Sequence, residues 1–147
     1  MSALGDLWDA SALVKQFLAE VGGEEVLSLR NPDLPHGSSM ITHTETFSAL
    51  RRRVRERFLP AAHYRAAIDL FNRDWAAFVR VQLDEEIIML SAKLIERHPL
   101  RTLDAIHLAS VLQLQQLVGE PSLFVSSDSQ LLQAATAENV TVRHIAL

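Results

Sequence analysis

Short apolar runs along this chain are separated by longer segments in which apolar residues recur with helical spacing. Leu7–Trp8 and Leu123–Val125 are short apolar runs bounded by polar residues. Val140–Ile145 alternates between apolar and polar side chains, and a further apolar run lies within 77–83. Such patterns are typical of short strands. They predict a strand at each of these places.

Helical spacing of apolar residues fills most of the sequence between the predicted strands. Proline, glycine or an acidic first turn marks several helix ends, whereas segment 31–37 has the composition of a loop. The predicted helices are 13–21, 24–29, 40–58, 61–74, 84–95, 102–118 and 131–137. Strands separated by helices need parallel crossovers, so the pattern predicts one α/β domain over residues 1–147, with helices on both faces of its sheet.

Composition narrows the class of protein further. The chain is 48% hydrophobic and 22% charged, which suits one domain with a sizeable core and excludes wholesale disorder. Its net charge of −4 excludes a general polycation, so any nucleic-acid partner must be bound locally. With no cysteine, disulfides, thiolate zinc sites and cysteine nucleophiles are excluded. No secretory signal or membrane-length apolar run is evident, so we expect a cytoplasmic protein without a membrane partner.

Acidic residues stand where an open α/β sheet usually binds its ligands, beyond the carboxyl ends of strands. Asp9 follows the first predicted strand and Asp128 follows Leu123–Val125, each beside serines and before a helix. Asp104 lies on the apolar face of the longest predicted helix, where a carboxylate is costly unless paired or metal-bound. The positions predict an acidic cluster. They are also typical of helix caps, or for Asp104 of a first-turn pair with His107, and both interpretations stay open at this point.

Periodicity indicates the roles of Glu45 and of the arginines that follow it less clearly than those of the three aspartates. Glu45 lies off the apolar stripe of helix 40–58 and by this criterion would face solvent. Arginine is frequent between residues 51 and 57, either as a solvated face or as a flank that binds phosphate groups. Arg51 and Arg52 are the candidates for contact with RNA. We expect Trp8 and Trp75 in the core or at an interface rather than as stacking platforms.

Four sequence strings, in this order along the chain, resemble those of the PIN domain. They are Asp9-Ala10-Ser11-Ala12-Leu13-Val14-Lys15, Glu45-Thr46-Phe47-Ser48-Ala49-Leu50-Arg51-Arg52, Leu100-Arg101-Thr102-Leu103-Asp104-Ala105-Ile106-His107-Leu108-Ala109 and Phe124-Val125-Ser126-Ser127-Asp128. Among PIN domains the chain is most similar to the VapC toxins of bacterial toxin–antitoxin pairs, over essentially its whole length. The third string is the most specific. Before Glu45 the chain departs from the family pattern, because segment 31–37 stands where an apolar second strand is usual.

The resemblance implies a three-layer α/β/α fold with a central, mainly parallel sheet of about five strands. It implies a metal-dependent endoribonuclease in which carboxylates bind Mg²⁺ (or Mn²⁺), the hard cations that oxygen ligands suit. The implied catalytic and metal-binding residues are Asp9, Glu45, Asp104 and Asp128, with Ser11 and Ser127 as polar helpers and His107 helping to position Asp104.

The resemblance also implies partners. These are an RNA substrate, a small cognate antitoxin that covers the acidic site, and a second copy of the chain bound through helices near 47–58. Two alternatives remain: a catalytically silent PIN scaffold that acts through protein binding, and a DNA or flap-type nuclease. A phospho-accepting receiver domain is disfavoured, because it would need a lysine after a late strand and the chain has only Lys15 and Lys93.

Overall fold

The sheet of this protein is parallel throughout and has the strand order β3-β2-β1-β4-β5. The computed structural model describes residues 4–18, 23–30 and 33–146. Its strands are β1 (Leu7–Trp8), β2 (Gly37–Ser39), β3 (Val79–Val81), β4 (Phe124–Ser126) and β5 (Val142–His144). Its helices are α1 (Ala10–Leu13), α2 (Gly23–Leu29), α3 (Thr42–Arg55), α4 (Ala61–Ala76), α5 (Glu85–Arg97), α6 (Thr102–Val118) and α7 (Ser129–Ala137).

Neighbouring residues of the central strands point to opposite faces of the sheet, and each face is covered by helices. Leu7 and Phe124 pack into a core with residues of α5, α6 and α7. Trp8 and Val125 pack on the other face with residues of α1, α2 and α4. This is the predicted three-layer α/β/α arrangement, and Trp8 and Trp75 both lie in the core as expected. Among the described residues, no helix combines the length and apolar character needed to cross a bilayer.

Strand β2 corrects the prediction of a loop over 31–37, because the loop ends at His36 and a strand begins at Gly37. Helix α6 approaches the sheet so closely here that a Cβ on Gly37 would lie 2.8 Å from Leu114 Cδ1 and 2.6 Å from Leu7 Cδ2. Only glycine fits such a position. The Ser38 hydroxyl donates to the Trp8 carbonyl oxygen of β1 at 2.6 Å. The interior strand β2 is therefore built from small buried residues, which carry no apolar pattern.

The first predicted helix is shorter and less regular than its apolar spacing suggested. It begins at Ala10 as α1, and a 3₁₀ turn, Val14–Phe17, takes over after Leu13. The predicted end of this helix at residue 21 lies outside the described residues. The remaining predicted helices occur within a few residues of their expected bounds.

Helix α3 buries a different face from the one that its apolar stripe predicts. Its deepest positions are Thr42, Thr46 and Leu50, whereas Phe47 is only partly buried and Phe58, beyond the helix, is 76% exposed. Glu45 lies next to the buried Thr46 and is itself partly buried, so the expectation that Glu45 faces solvent was wrong.

Glu138 joins the ends of α5 and α7, and this link predicts a pH dependence of stability. Its carboxylate lies 2.6 Å from His98 Nε2 and 3.0 Å from Arg97 Nη2. The hydrogen bond with His98, assisted by Arg97, lowers the pKa of Glu138. A lowered carboxyl pKa adds stability above the unfolded-state value of about 4.3, and this stability is lost as the pH falls through the lower folded-state value.

We therefore expect Glu138→Gln to lower the free energy of unfolding by about 0.5 kcal/mol at pH 5.5 and by less at pH 3, as measured by urea unfolding. Glu96→Gln, which alters an exposed carboxylate on α5, serves as the control. A difference from the unmodified protein that persisted unchanged at pH 3 would contradict the assignment.

Candidate active site

The candidate site lies beyond the carboxyl ends of β1 and β4, where the topology of the sheet changes direction. Strands β2 and β3 lie on one side of β1, and the chain then crosses to β4 and β5 on the other side. Such a switch point leaves a crevice between the two loops that follow the adjacent strands. Asp9 directly follows β1, and Asp128 follows β4 by two residues. Both acids predicted from strand ends therefore meet at one edge of the sheet.

Asp9 is a buried carboxylate that is both a helix cap and a member of the site. Its Oδ1 accepts hydrogen bonds from Ser11 Oγ at 2.8 Å and from the Ala12 backbone N–H at 3.2 Å, and its Oδ2 accepts from Ser126 Oγ at 2.7 Å. Burial raises the pKa of Asp9, against the opposing effects of His107 and these three donors. A carboxylate has about four lone-pair sites, so three donors leave one on Oδ2 for a further partner.

Ser126 is a central residue that the sequence analysis missed. Its hydroxyl donates to Asp9 and accepts from the backbone N–H of Asp128 at 2.9 Å, so it links the two strand-end acids. Ser11, a predicted helper, also donates to Asp9 and accepts from the Ser127 backbone N–H at 3.0 Å. The run of two serines before Asp128 was the sequence signal that could have indicated Ser126, but only Ser127 was predicted to help.

Asp128 caps α7, because its Oδ1 accepts from the backbone N–H groups of Gln130 at 3.0 Å and Leu131 at 3.1 Å. Both bonds end on the same oxygen and leave Oδ2 for another ligand. The cap and site interpretations, which the sequence left as alternatives for Asp9 and Asp128, are thus compatible, since capping uses only part of each carboxylate.

Asp104 lies half-buried in the first turn of α6, within the electric field of the other acids. Burial raises its pKa, and the negative charges of Asp128, Asp9 and Glu45 raise it further, while His107 opposes them. The other three acids of the predicted quartet are therefore all near enough to act electrostatically on Asp104. Mutual repulsion of this kind disfavours the fully ionised cluster unless a cation is nearby.

His107 connects Glu45 to this cluster. The imidazole is buried, and its Nε2 lies 2.5 Å from Glu45 Oε1 across 62 residues of sequence. Burial alone would lower the pKa of His107, but the Glu45 hydrogen bond and the charges of Asp9, Glu45 and Asp104 together raise it. His107 was predicted to help position Asp104, whereas the hydrogen bond of its imidazole in the structure is to Glu45.

A cleft of about 430 Å³ opens beside Glu45 between α1 and α3. We call it the α1–α3 cleft, and its polar lining comprises Ser11, Lys15, Glu45, Ser48, Arg52 and Arg53. Arg51 instead places its guanidinium 5.1 Å from the centroid of the Tyr64 ring on α4. Of the two arginines predicted to contact RNA, only Arg52 lines the cleft.

The side chains at this site fit a hard divalent cation in chemistry and charge. All candidate ligands are oxygens. The Ser127 hydroxyl beside Asp128 is buried and finds no hydrogen-bond partner in the part of the chain that the structure describes, so it is a polar atom that a bound ion's water could satisfy. Within the described residues, no three acidic or imidazole groups are close enough to enclose an ion directly. An ion here would be held by a few of these carboxylates together with its own water molecules, as is usual for Mg²⁺.

Comparison with known proteins agrees with this architecture and with the four sequence strings. The model of the PIN domain family matches residues 7–137, which include all four acids. The chain belongs to the PIN domain family. This PIN domain is 32% identical over 119 residues to Ribonuclease VapC45 and Ribonuclease VapC49 of two Mycobacterium tuberculosis strains, covering 81% of this chain and 80% of each relative.

Solved structures share the PIN fold at lower identity. A protein from Pyrobaculum aerophilum superimposes with a TM-score of 0.61 at 21% identity, over 95% of this chain and 83% of that one. VapBC-1 from nontypeable Haemophilus influenzae gives 0.59 at 14% identity, over 96% and 97%. A toxin–antitoxin complex from Klebsiella pneumoniae gives 0.56 at 17% identity, over 86% and 88%. The predicted fold class and family are confirmed.

Proposed function

We propose that this PIN-domain protein is a divalent-metal-dependent ribonuclease and the toxin of a toxin–antitoxin pair. The observation that carries the proposal is the grouping of four acids at the switch point of the sheet, where Asp9 and Asp128 are both bonded to Ser126 and the charges of Asp9, Glu45 and Asp128 all act on Asp104. Relatives named as ribonucleases at 32% identity support RNA as the substrate. Structural neighbours that are toxin–antitoxin complexes support a small antitoxin as a partner.

The chain's own residues divide the work at this site. Asp9, Asp104 and Asp128 would hold Mg²⁺ or Mn²⁺, directly or through water, while Ser11 and Ser126 keep Asp9 in place and Ser127 offers a further hydroxyl. A bound ion supplies an activated water and stabilises charge on the scissile phosphate. Glu45 would contribute a carboxylate from the side of the α1–α3 cleft, where it would ligate the ion or orient the attacking water.

The same proposal covers assembly and location. The antitoxin would cover the carboxylate cluster, and two copies of the chain would pair through residues near 47–58, where Phe58 is 76% exposed. We place the protein in the cytoplasm, where its RNA substrate is found.

Cleavage of a mixed RNA substrate with Mg²⁺, with Mn²⁺ and with excess EDTA tests the proposed function. We expect RNA cleavage with either metal, its loss in EDTA, and its return when metal is added in excess. A parallel DNA substrate should remain intact. EDTA-resistant cleavage would overturn the metal mechanism, cleavage of DNA alone would favour the DNA nuclease, and inactivity in all conditions together with tight binding of a small protein would favour the scaffold.

Arg52 provides a more local prediction, because its side chain lines the α1–α3 cleft beside Glu45. We expect Arg52→Ala to weaken RNA binding and to reduce the slope of log K against log salt by about 0.7, the value for one phosphate contact on a single strand. Fluorescence anisotropy in EDTA, over a range of salt concentrations, measures binding without cleavage. Arg51→Ala is the matched control, since Arg51 packs on Tyr64. Equal slopes for the Arg52 variant and the unmodified protein would contradict this role.

A further inference from the structure

Glu45, unlike Asp9 and Asp128, is not held at the site by a capping bond of its own helix. Asp9 and Asp128 are fixed at strand ends by capping bonds, whereas Glu45 lies one residue before the buried Thr46 of α3, with a side chain that is 28% exposed. A glutamate in such a half-exposed position has several rotamers available. Something outside α3 must select the one that faces the cluster.

The contact that selects this rotamer lies between α3 and α6. His107 is buried, with a side chain only 4% exposed, and its Nε2 lies 2.5 Å from Glu45 Oε1. An ionised carboxylate only accepts hydrogen bonds, so His107 Nε2 carries the proton and donates it into this bond. We propose that His107 is a positioning residue that holds the Glu45 carboxylate at the metal-binding cluster.

The surroundings of His107 make it suited to this role. The residues that flank it on α6, Ile106 and Leu108, are buried in the core, so the backbone that carries the imidazole is fixed by packing. The bond uses one oxygen of Glu45 and leaves the second able to accept from a water or to bind a cation. His107 thus acts on the ion through Glu45, in the way that outer-shell partners orient the ligands of other metal sites.

The contact between His107 and Glu45 is a feature of the structure. Its effect on the binding of a divalent cation rests on the proposed function. Without the donor, Glu45 would have to be ordered each time an ion binds, which costs side-chain entropy and lowers affinity. Loss of an outer-shell partner typically weakens metal binding about 10- to 100-fold. His107 should therefore matter for the ion only while Glu45 is present.

The test is isothermal titration of the full chain with Mn²⁺, in the absence of RNA. His107→Leu, which fills the space without a donor, should bind Mn²⁺ about 10-fold more weakly than the unmodified protein. His107→Gln, whose amide nitrogen can take the place of Nε2, should regain most of the affinity. In a Glu45→Gln background, His107→Leu should cause no further loss. His63→Gln, on the exposed surface of α4, is the control.

Circular dichroism confirms folding of each variant, and His107→Asn, whose amide is too short to reach Glu45, replaces His107→Leu if that variant does not fold. Unchanged Mn²⁺ affinity in the donor-less variant, or an equal loss with and without Glu45, would overturn the positioning role. If the loss of Mn²⁺ affinity in His107→Leu depends on Glu45 but no RNA is cleaved, the proposed ribonuclease function fails and the positioning role of His107 stands. If RNA cleavage depends on metal but the loss of affinity does not depend on Glu45, the ribonuclease function stands and the positioning role fails. A chain that binds no Mn²⁺ overturns both proposals.

Discussion

Asp104→Asn is expected to lower RNA cleavage by more than about 100-fold, since even groups one step removed from a metal cost about 10- to 100-fold. The variant should nevertheless be at least as stable as the unmodified protein. Burial and the charges of Asp128, Asp9 and Glu45 raise the pKa of Asp104, so its ionised form is disfavoured in the folded chain. Asparagine has the same shape without that charge.

Two measurements separate these effects. Single-turnover cleavage with saturating Mg²⁺ reports the catalytic loss, and thermal unfolding in EDTA at pH 7 reports the stability of the metal-free chain. Asp69→Asn, an exposed carboxylate on α4 far from the site in the fold, should change neither. Asp104→Asn with full activity would remove Asp104 from the metal site. A large loss of stability in EDTA would instead mean that its carboxylate has a structural partner.

The strand-end acids could be predicted because they follow from topology alone. A parallel sheet brings the carboxyl ends of its strands to one edge, so the positions of Asp9 and Asp128 after two apolar runs were sufficient to bring them together. The two alternative roles of Asp9 and Asp128, as helix caps and as members of the site, are compatible. Each carboxylate has two oxygens, and the caps leave lone pairs free on both residues.

Strand β2 could not be predicted, and Glu45 was predicted by the family resemblance and not by periodicity, for a common reason: buried small and polar residues leave no apolar pattern. Gly37 is required by the close approach of Leu114, and Ser38 is satisfied by the Trp8 carbonyl oxygen. On α3, the buried Thr46 gives no hydrophobic signal for the inner face that Glu45 borders. Periodicity detects burial only where the buried side chains are apolar.

The hydrogen bonds of the site could not be predicted from the sequence either. Ser126 and Ser127 are adjacent in sequence, and their composition and spacing do not distinguish them. Ser126 is the last residue of β4 and Ser127 lies just beyond the strand. The structure shows that the bond to Asp9 comes from Ser126, whereas Ser127 Oγ has no hydrogen-bond partner among the described residues.

Ser126→Ala is accordingly expected to damage both stability and activity. The change removes a donor to Asp9 Oδ2 and an acceptor for the Asp128 backbone N–H, both at a residue that is fully buried. A buried polar group left without its partner costs about 1–3 kcal/mol, which should appear as a lower midpoint in urea unfolding. With one donor fewer, Asp9 is held less firmly and is harder to ionise, so we expect cleavage to fall by about 10- to 100-fold.

Ser28→Ala is the matched control for this change, because the Ser28 hydroxyl donates to the Glu25 carbonyl oxygen on the exposed surface of α2, away from the acids. It should leave cleavage and the unfolding midpoint close to those of the unmodified protein. If Ser126→Ala lowers stability but cleaves RNA at the normal rate, Ser126 supports the fold and not the orientation of Asp9. A fall in cleavage that high Mn²⁺ concentrations restore would place the defect in cation binding, since an ion can order Asp9 when its hydroxyl partner no longer does.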